Sequence, residues 1–290
     1  MLPISNPYIL KILLPLFPKI KRPAILEYLR QVFSGNLLLW LFLLFAHFPS
    51  YPQNLPAFKA GEYLKYSIYY GPIRGGEAVM EVKRGIYKGS PVNHLHLNGK
   101  TVGVANALYN VNDIYQSFTN VQTDLPYEAI RDINEGRYTK YTVQTFDHWS
   151  RADSSIVQST STGEVVVPKN SHDILSAFYY LRNHLLSNTL TVGDTLVVET
   201  YFDDEQYTLR VRFMGYETVK TKLGKVECMK FIPIVITGRV FKNPDDMVVW
   251  FSKDKNFIPI RIRFNLFVGA VYCDLIEYKG LLHAFEPSKK

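Results

Sequence analysis

Two histidines, His94 and His96, stand two residues apart in a strand-like stretch, which puts both imidazoles on one face and supplies two of the donors a metal site needs. A third donor is not offered by the neighbouring sequence, so the pair reads as exposed side chains on a wet strand face. Gly99-Lys100-Thr101 has the look of the end of a phosphate loop, but the motif needs a glycine where His94 stands. Gly75-Gly76 is not followed by a helix whose N-terminus could hold a phosphate, and no Gly-x-Ser-x-Gly elbow occurs. His172, Asp173 and Ser176 share one helical turn, which cannot align a base and its orienting acid in series on a nucleophile.

A second set is more informative, because its charges and aromatics occupy positions where an ordinary core would be apolar. Asp113, Tyr115 and Ser117 alternate along one strand, Arg131, Asp132 and Glu135 follow in the next, and Asp173 and Arg182 sit on a helix. If the helix crosses those strands, Arg131 or Arg182 can pair with a carboxylate as partly buried charges require. The sharper reading makes Asp113, Tyr115, Arg131, Glu135, Asp173 and Arg182 the polar rim of a ligand pocket. A hydrolase would use Asp113, Glu135 and Asp173 as acid and base, with carboxyls about 5 Å apart for retention or about 6.5–9.5 Å for inversion. No motif calls for a cofactor, and no recognised catalytic constellation appears.

The elements that position these residues are mostly strands. From Gly61 the chain alternates with period two, Tyr63, Lys65, Ser67 and Tyr69 against Leu64, Tyr66, Ile68 and Tyr70, and the run 71–76 then turns it into a strand from Glu77 to Tyr87. Tyr207, Leu209, Val211 and Phe213 interleave with Thr208, Arg210 and Arg212, and Ile262, Phe264, Leu266 and Val268 with Arg261, Arg263 and Asn265. Such two-faced strands belong to an antiparallel sheet wetted on one side. One stretch breaks the pattern: Ser171 as N-cap, Asp173 in the first turn, and Ile174, Phe178, Leu181 and Leu185 at helical spacing predict an amphipathic helix over about 171–187. A shorter helical piece is expected near Val104 to Tyr109. The fold class is therefore mainly β, a strongly curved antiparallel sheet or open β-barrel wrapping one amphipathic helix.

Composition narrows the function classes. The chain has 290 residues and a net charge of +7, but residues 1–50 hold five Lys/Arg and one acid, which leaves only +3 for the rest. Nucleic-acid binding needs a clustered basic excess in the folded part and is excluded on that ground. Within residues 1–50, the uncharged run Leu37 to Phe48 follows basic residues and precedes a proline-broken segment, the order of a secretory signal. Twelve residues fit a signal core of about 7–15 rather than a membrane-crossing helix of about 20. Residues 1–50 are read as a signal peptide or, given the long front end, an N-terminal anchor, the one route to membrane contact. Residues 51–60 follow as a linker, 61–281 as a single domain and 282–290 as a tail. Cys228 and Cys273 read as free buried thiols.

The residues resemble a family of exported bacterial envelope proteins grouped as domain of unknown function 3108 (DUF3108). The likeness spans Gly61 to Leu281 and rests on Gly61-Glu62-Tyr63-Leu64-Lys65-Tyr66, Gly71-Pro72-Ile73, Asp113-Ile114-Tyr115-Gln116-Ser117, and Leu125-Pro126-Tyr127 leading to Arg131-Asp132-Ile133-Asn134-Glu135-Gly136. It continues through residues 173–182 and through Trp250-Phe251-Ser252-Lys253-Asp254-Lys255-Asn256 with Ile258-Pro259-Ile260. It implies a periplasmic protein with a curved antiparallel sheet, related in outline to proteins handling lipids or capsular glycans, and no agreed catalytic residues. The expected function is a non-enzymatic envelope protein binding a lipid or glycan-bearing ligand in the concave sheet. The alternatives are a scaffold docking an envelope protein partner through strand edges and the carboxylate hydrolase.

Overall fold

In a computed structural model the chain is described at residues 56–186, 189–234, 246–266 and 268–288; the expected signal or anchor at 1–50 lies outside these described residues. Fourteen strands form one antiparallel sheet: β1 (Tyr63–Tyr70), β2 (Ile73–Tyr87), β3 (Ser90–Thr101), β4 (Asn112–Asn120), β5 (Pro126–Glu135), β6 (Tyr138–Asp147), β7 (Ser154–Ser159), β8 (Gly163–Pro168), β9 (Thr195–Phe202), β10 (Glu205–Lys220), β11 (Lys225–Pro233), β12 (Met247–Ser252), β13 (Pro259–Asn265) and β14 (Ala270–Lys279). The order β8-β7-β6-β5-β4-β3-β2-β1-β14-β13-β12-β11-β10-β9 is two meanders joined where β1 pairs with β14. Helix α1 (Gly103–Leu108) bridges β3 and β4, and α2 (Ile174–Leu186) links β8 to β9 and packs against β3, β4 and β9. Among the described residues the curved sheet wraps around one long helix, which is the expected architecture. No helix among the described residues is long and apolar enough to cross a membrane.

Several local expectations shift. The N-cap of α2 is Asp173, not Ser171: its Oδ1 accepts the backbone N–H groups of Leu175 and Ser176. Ser171 instead donates to Pro168 O. The turn after β1 is shorter than the glycine-rich run suggested, since β2 already starts at Ile73. At the far end, Leu266 and Val268 leave the strand pattern, because β13 stops at Asn265 and Leu266 N bonds Gly269 O across a turn. Residues 56–60 are no free linker: Ala57 and Phe58 are buried, Phe58 meets Tyr179 edge-on at 4.7 Å, and Ala57 N donates to Asn183 Oδ1. Nor is the C-terminal stretch a loose tail. Phe285 packs edge-on against Tyr278, and Ser288 pairs with Lys225.

The helix is buried on more than one stripe. Leu175, Ala177, Tyr179, Leu181 and Leu185 are buried, whereas Ile174 and Phe178 of the expected stripe are only half-buried. A sheet that curls around the helix covers it from several sides, and a helix so enclosed is apolar around most of its girth. Two of the apolar clusters meet on it, one with Leu64, Tyr66 and Leu95, the other with Phe213, Phe231 and Phe251. Cys228 and Cys273 are free thiols on non-adjacent strands, and burial pushes both up to about 12.

Inside this apolar packing Arg182 is fully buried. Arg182 grips Glu62 with two bonds, Nη1 to Oε1 at 2.6 Å and Nη2 to Oε2 at 2.8 Å, and donates from Nε and Nη2 to Asn256 O. Its guanidinium also lies 5.1 Å from the Tyr179 ring and 5.4 Å from that of Phe58. Asn256 in turn donates to His283 O and Ala284 O and accepts from His283 N. One arginine therefore joins the residues before β1, the helix, the loop after β12 and the C-terminal segment.

The two ends of the sheet approach each other through the segment before α2. His172 bridges Thr200 of β9 in parallel register, donating its N–H to Glu199 O and accepting from Tyr201 N. Its ring is buried beside Tyr180, and burial, with a smaller contribution from His148, lowers it from 6.5 to about 3. Asp124, bonded by Asn183 Nδ2, is lifted by burial from 3.8 to about 6.

Two predictions follow from these buried charges. Glu62→Leu and Arg182→Leu should each destabilise the fold by about 3–5 kcal/mol in urea unfolding, because each strands the other charge in an apolar interior. The double variant should recover part of the loss, and strictly additive losses would contradict the pairing. For pH, the unfolded chain takes up a proton on His172 below 6.5 that the folded chain refuses until about 3, so stability falls with acid across that window by up to about 1.4 kcal/mol per unit. Asp124 acts oppositely: the folded state holds its proton from about 6 downward while the unfolded state waits until 3.8, so protonation there stabilises. Unfolding at pH 7, 6, 5 and 4 should show a flatter acid loss in His172→Gln and a steeper one in Asp124→Asn; unchanged slopes would refute the assignment.

Candidate functional site

β4 and β5 pair with Tyr115 opposite Arg131 and Ser117 opposite Ala129. Alternation puts Asp113, Tyr115, Ser117, Arg131 and Glu135 on one face. That face is the inner one, because Ser117 Oγ donates to Asp173 Oδ2 at the start of α2, at 2.6 Å. On the inner wall of β5 to β7 polar and apolar groups are mixed: Thr142, Gln144, Ser155 and Ser159 are buried alongside Ala129, Phe146 and Val157.

Opposite this wall stands the hairpin between β9 and β10. Its two central residues, Asp203 and Asp204, have φ of +53° and +65°, as the two-residue turns that match strand twist demand, and aspartate tolerates that conformation. The turn thus presents two adjacent carboxylates. Arg131 Nη1 donates to Asp203 Oδ1 at 2.6 Å, and Lys140 Nζ reaches Asp203 at 3.2 Å and Asp204 at 2.9 Å. Ser159 Oγ donates to Asp204 Oδ1, and Thr162 and Tyr201 share a hydrogen bond between their hydroxyls. At these positions side chains, rather than a backbone ladder, connect β5–β8 to β9.

The Arg131 guanidinium lies beside two stacked rings, 4.6 Å from Phe202 and 5.7 Å from Tyr115. Burial is the largest single influence and opposes its charge, but the hydrogen bond and charge of Asp203 together with Tyr115 outweigh it and hold Arg131 above its ordinary value, while Arg131 holds Asp203 below. Lys140 is likewise raised, by its bond to Asp204. Arg131 Nε and Gln144 Nε2 are buried donors with no hydrogen-bond partner among the described residues. Tyr115 is pushed up by burial. Further along, Asp113 Oδ1 accepts from Asn134 N, and Glu135 is raised by partial burial first and then by the charge and hydrogen bond of Asp113.

The six residues singled out in the sequence therefore do not form one rim. Asp113, Tyr115, Arg131 and Glu135 share the inner face of β4 and β5. Asp173 caps the helix beside Ser117, four strand residues or about 13 Å from Asp113. Arg182 lies nine helical residues further, about 13 Å along α2, consumed by Glu62 and Asn256. Asp113 and Asp173 thus stand beyond the spacing of a glycosidase carboxyl pair. Clefts of about 410 Å³, beside Glu62 and Glu81, and about 230 Å³, beside Tyr87 and Tyr127, include none of the six.

The sequence led to the expectation that Arg131 or Arg182 pairs with a carboxylate of the strands and helix; the structure pairs Arg182 with Glu62 and Arg131 with Asp203 instead. Glu62 was hidden inside an ordinary strand-start pattern; Asp203-Asp204, between two alternating runs, was a legible turn whose partner across the sheet was not. The histidine pair also differs from expectation. His94 stacks on Phe118 at 4.4 Å with Nε2 bonded to Gln116, His96 approaches Glu81 at 3.7 Å, and both are half-buried and lowered by that burial. Among the described residues no group of three or more His, Cys, Asp or Glu is arranged to hold a metal.

The chain is similar to a crystal structure from Brucella abortus described as a beta-barrel-like protein of domain of unknown function DUF1849, with 8% identity, a TM-score of 0.49, and coverage of 75% of this chain and 96% of that one. No curated protein matches. The family described as protein of unknown function (DUF3108) matches residues 65–276. That match takes in most of the length, and the chain belongs to the DUF3108 family.

Proposed function

We propose that the protein is an exported, non-catalytic binding protein of a bacterial envelope, and that its inner wall on β4, β5 and β6 takes the oxygen-rich part of a glycan-bearing molecule. The observation that carries this reading is the pair of buried, unpartnered donors, Arg131 Nε and Gln144 Nε2, on that wall. Buried donors in native proteins have partners, and acceptor oxygens of a ligand would supply them. Tyr115 and Phe202 add ring faces next to a fixed cation, a combination that orients a ligand as well as holding it. Entry would be through the contacts between the β9–β10 turn and β5–β7, which are side-chain bonds and separate at lower cost than a strand ladder.

A glycan suits this wall better than an acyl chain. The apolar half of the interior is occupied by α2, whose Leu175, Tyr179 and Leu181 are buried. Export is inferred from the basic, apolar and proline-broken order of residues 1–50. Native mass spectrometry of the protein gently purified from its own host should show an added mass of a glycan-bearing compound. Arg131→Ala and Gln144→Ala should each reduce its occupancy about tenfold, the loss of a charge-assisted or a neutral hydrogen bond in a desolvated site. Empty protein in every preparation, or occupancy indifferent to both substitutions, would contradict the proposal.

A further inference from the structure

Three neighbouring connections at one end of the sheet contain no charged residue. The runs 68–73, 101–111 and 264–271 lead from β1 to β2, from β3 to β4 and from β13 to β14, and none holds Asp, Glu, Lys or Arg. Because β3, β2, β1, β14 and β13 are consecutive in the sheet, the connections stand side by side. Polar bonds tie them together: Tyr70 OH donates to Val268 O at 2.9 Å, and Val102 N donates to Gly75 O. Tyr109 OH donates to Glu135 O, and Gly136 N to Asn110 O, which continues the rim to the β5–β6 turn.

Apolar side chains project from this rim into solvent. Ile73 is 60% exposed, Val104 73%, Leu108 82% and Val268 75%, and the rings of Tyr70, Tyr109 and Tyr138 are exposed among them. Helix α1 is the clearest case, for it reads Gly103-Val104-Ala105-Asn106-Ala107-Leu108 and none of its residues is buried. Thr101 fastens it, its Oγ1 accepting Val111 N–H at 2.9 Å and lying 3.1 Å from Tyr109 O. Polar bonds therefore hold the segment, and its Val and Leu add nothing to the core. Exposed apolar residues scattered singly are ordinary, but a contiguous set on one helix and two turns marks a contact surface.

Behind the rim the outer face of β1 to β3 is cationic. Lys65, Arg74 and Lys100 reach Glu77 at 3.4, 2.9 and 3.2 Å, so one carboxylate answers three cations, and Arg74 and Lys100 remain half-exposed. Apolar tips, tyrosine hydroxyls between them and cations set back by a few residues match the layers of a bilayer interface: acyl boundary, headgroup level and phosphates. A protein partner would need a surface shaped to each separate tip, whereas lipid moulds itself around them.

We propose that this end of the sheet docks on the surface of an anionic phospholipid bilayer, with Ile73, Val104, Leu108 and Val268 inserted and Arg74 and Lys100 against the phosphates. The contact is peripheral and stands independently of the ligand proposed for the inner wall and of residues 1–50.

The test is co-sedimentation of the full chain with vesicles of phosphatidylethanolamine and phosphatidylglycerol, and with phosphatidylcholine vesicles for comparison. Binding should favour the anionic vesicles and weaken with added salt. The triple variant Ile73→Ser, Leu108→Ser, Val268→Ser should bind about tenfold more weakly or worse, and Arg74→Gln with Lys100→Gln should lose about tenfold on anionic vesicles alone. Ile86→Ser removes an equally exposed residue from the opposite end of β2 and should bind as the parent does, which controls for general surface hydrophobicity and for residues 1–50. The apolar substitutions fall at exposed positions, so the melting temperature should hold. Leu108→Trp should gain a blue shift on anionic vesicles beyond that of the parent, with quenching by brominated acyl chains. Absence of vesicle binding by the parent, binding that survives the triple variant, equal affinity for phosphatidylcholine, or rim-dependent self-association without vesicle binding would each overturn the proposal.

Discussion

A charge that cannot reach water sets the organisation of this molecule. Arg182 is enclosed by the apolar packing of α2, so its guanidinium must be satisfied from within, and Glu62, Asn256 and Ala57 supply the acceptors. Those acceptors come from segments far apart in the chain, and none can move without uncovering a buried charge. The helix is thereby held at one depth and rotation inside the sheet, and everything positioned by its N-terminus follows. Asp173 caps it there and receives Ser117 of β4, which decides which face of β4 and β5 points inward.

Around that fixed rod the two halves of the sheet are built differently. The half from β9 to β14 packs large apolar residues against α2, with Phe178 and Phe251 5.6 Å apart and Phe231 and Phe251 5.7 Å apart. The half from β4 to β7 lines the interior with hydroxyls, an amide and Arg131 around a smaller apolar cluster that includes Ala129, Phe146 and Val157. Apolar packing resists opening because it is dense and collective, whereas discrete hydrogen bonds and partly exposed ion pairs are individually weak in water. A ligand that enters the molecule would be expected to do so where the second kind of contact predominates.

Much of the architecture was legible from short-range pattern. The alternation of Tyr207, Leu209, Val211 and Phe213 became β10, with Val211 and Phe213 buried, and the helical spacing around 171–187 became α2. Boundaries were less legible. Ser171 and Asp173 are both good caps, and choosing between them required knowing that Asp173 also meets Ser117 across the sheet. Residues 56–60 looked like a linker because proline and small residues dominate there, but Phe58 finds a partner in Tyr179, a residue over a hundred positions away.

The candidate site divides along the same line. Period-two alternation by itself placed Asp113, Tyr115, Arg131 and Glu135 as neighbours on one face of two paired strands, because pairing of adjacent strands is a local property of the chain. It also determined a mainly antiparallel sheet, while helical spacing determined the long helix α2. Only the tertiary structure decided that Arg182 is matched with Glu62, that Arg131 is matched with the Asp203-Asp204 turn, and that Asp173 belongs to the helix cap. The physical reason is that a buried charge is paired by whatever the curled sheet brings to it, and curling joins segments whose separation in sequence carries no periodic trace.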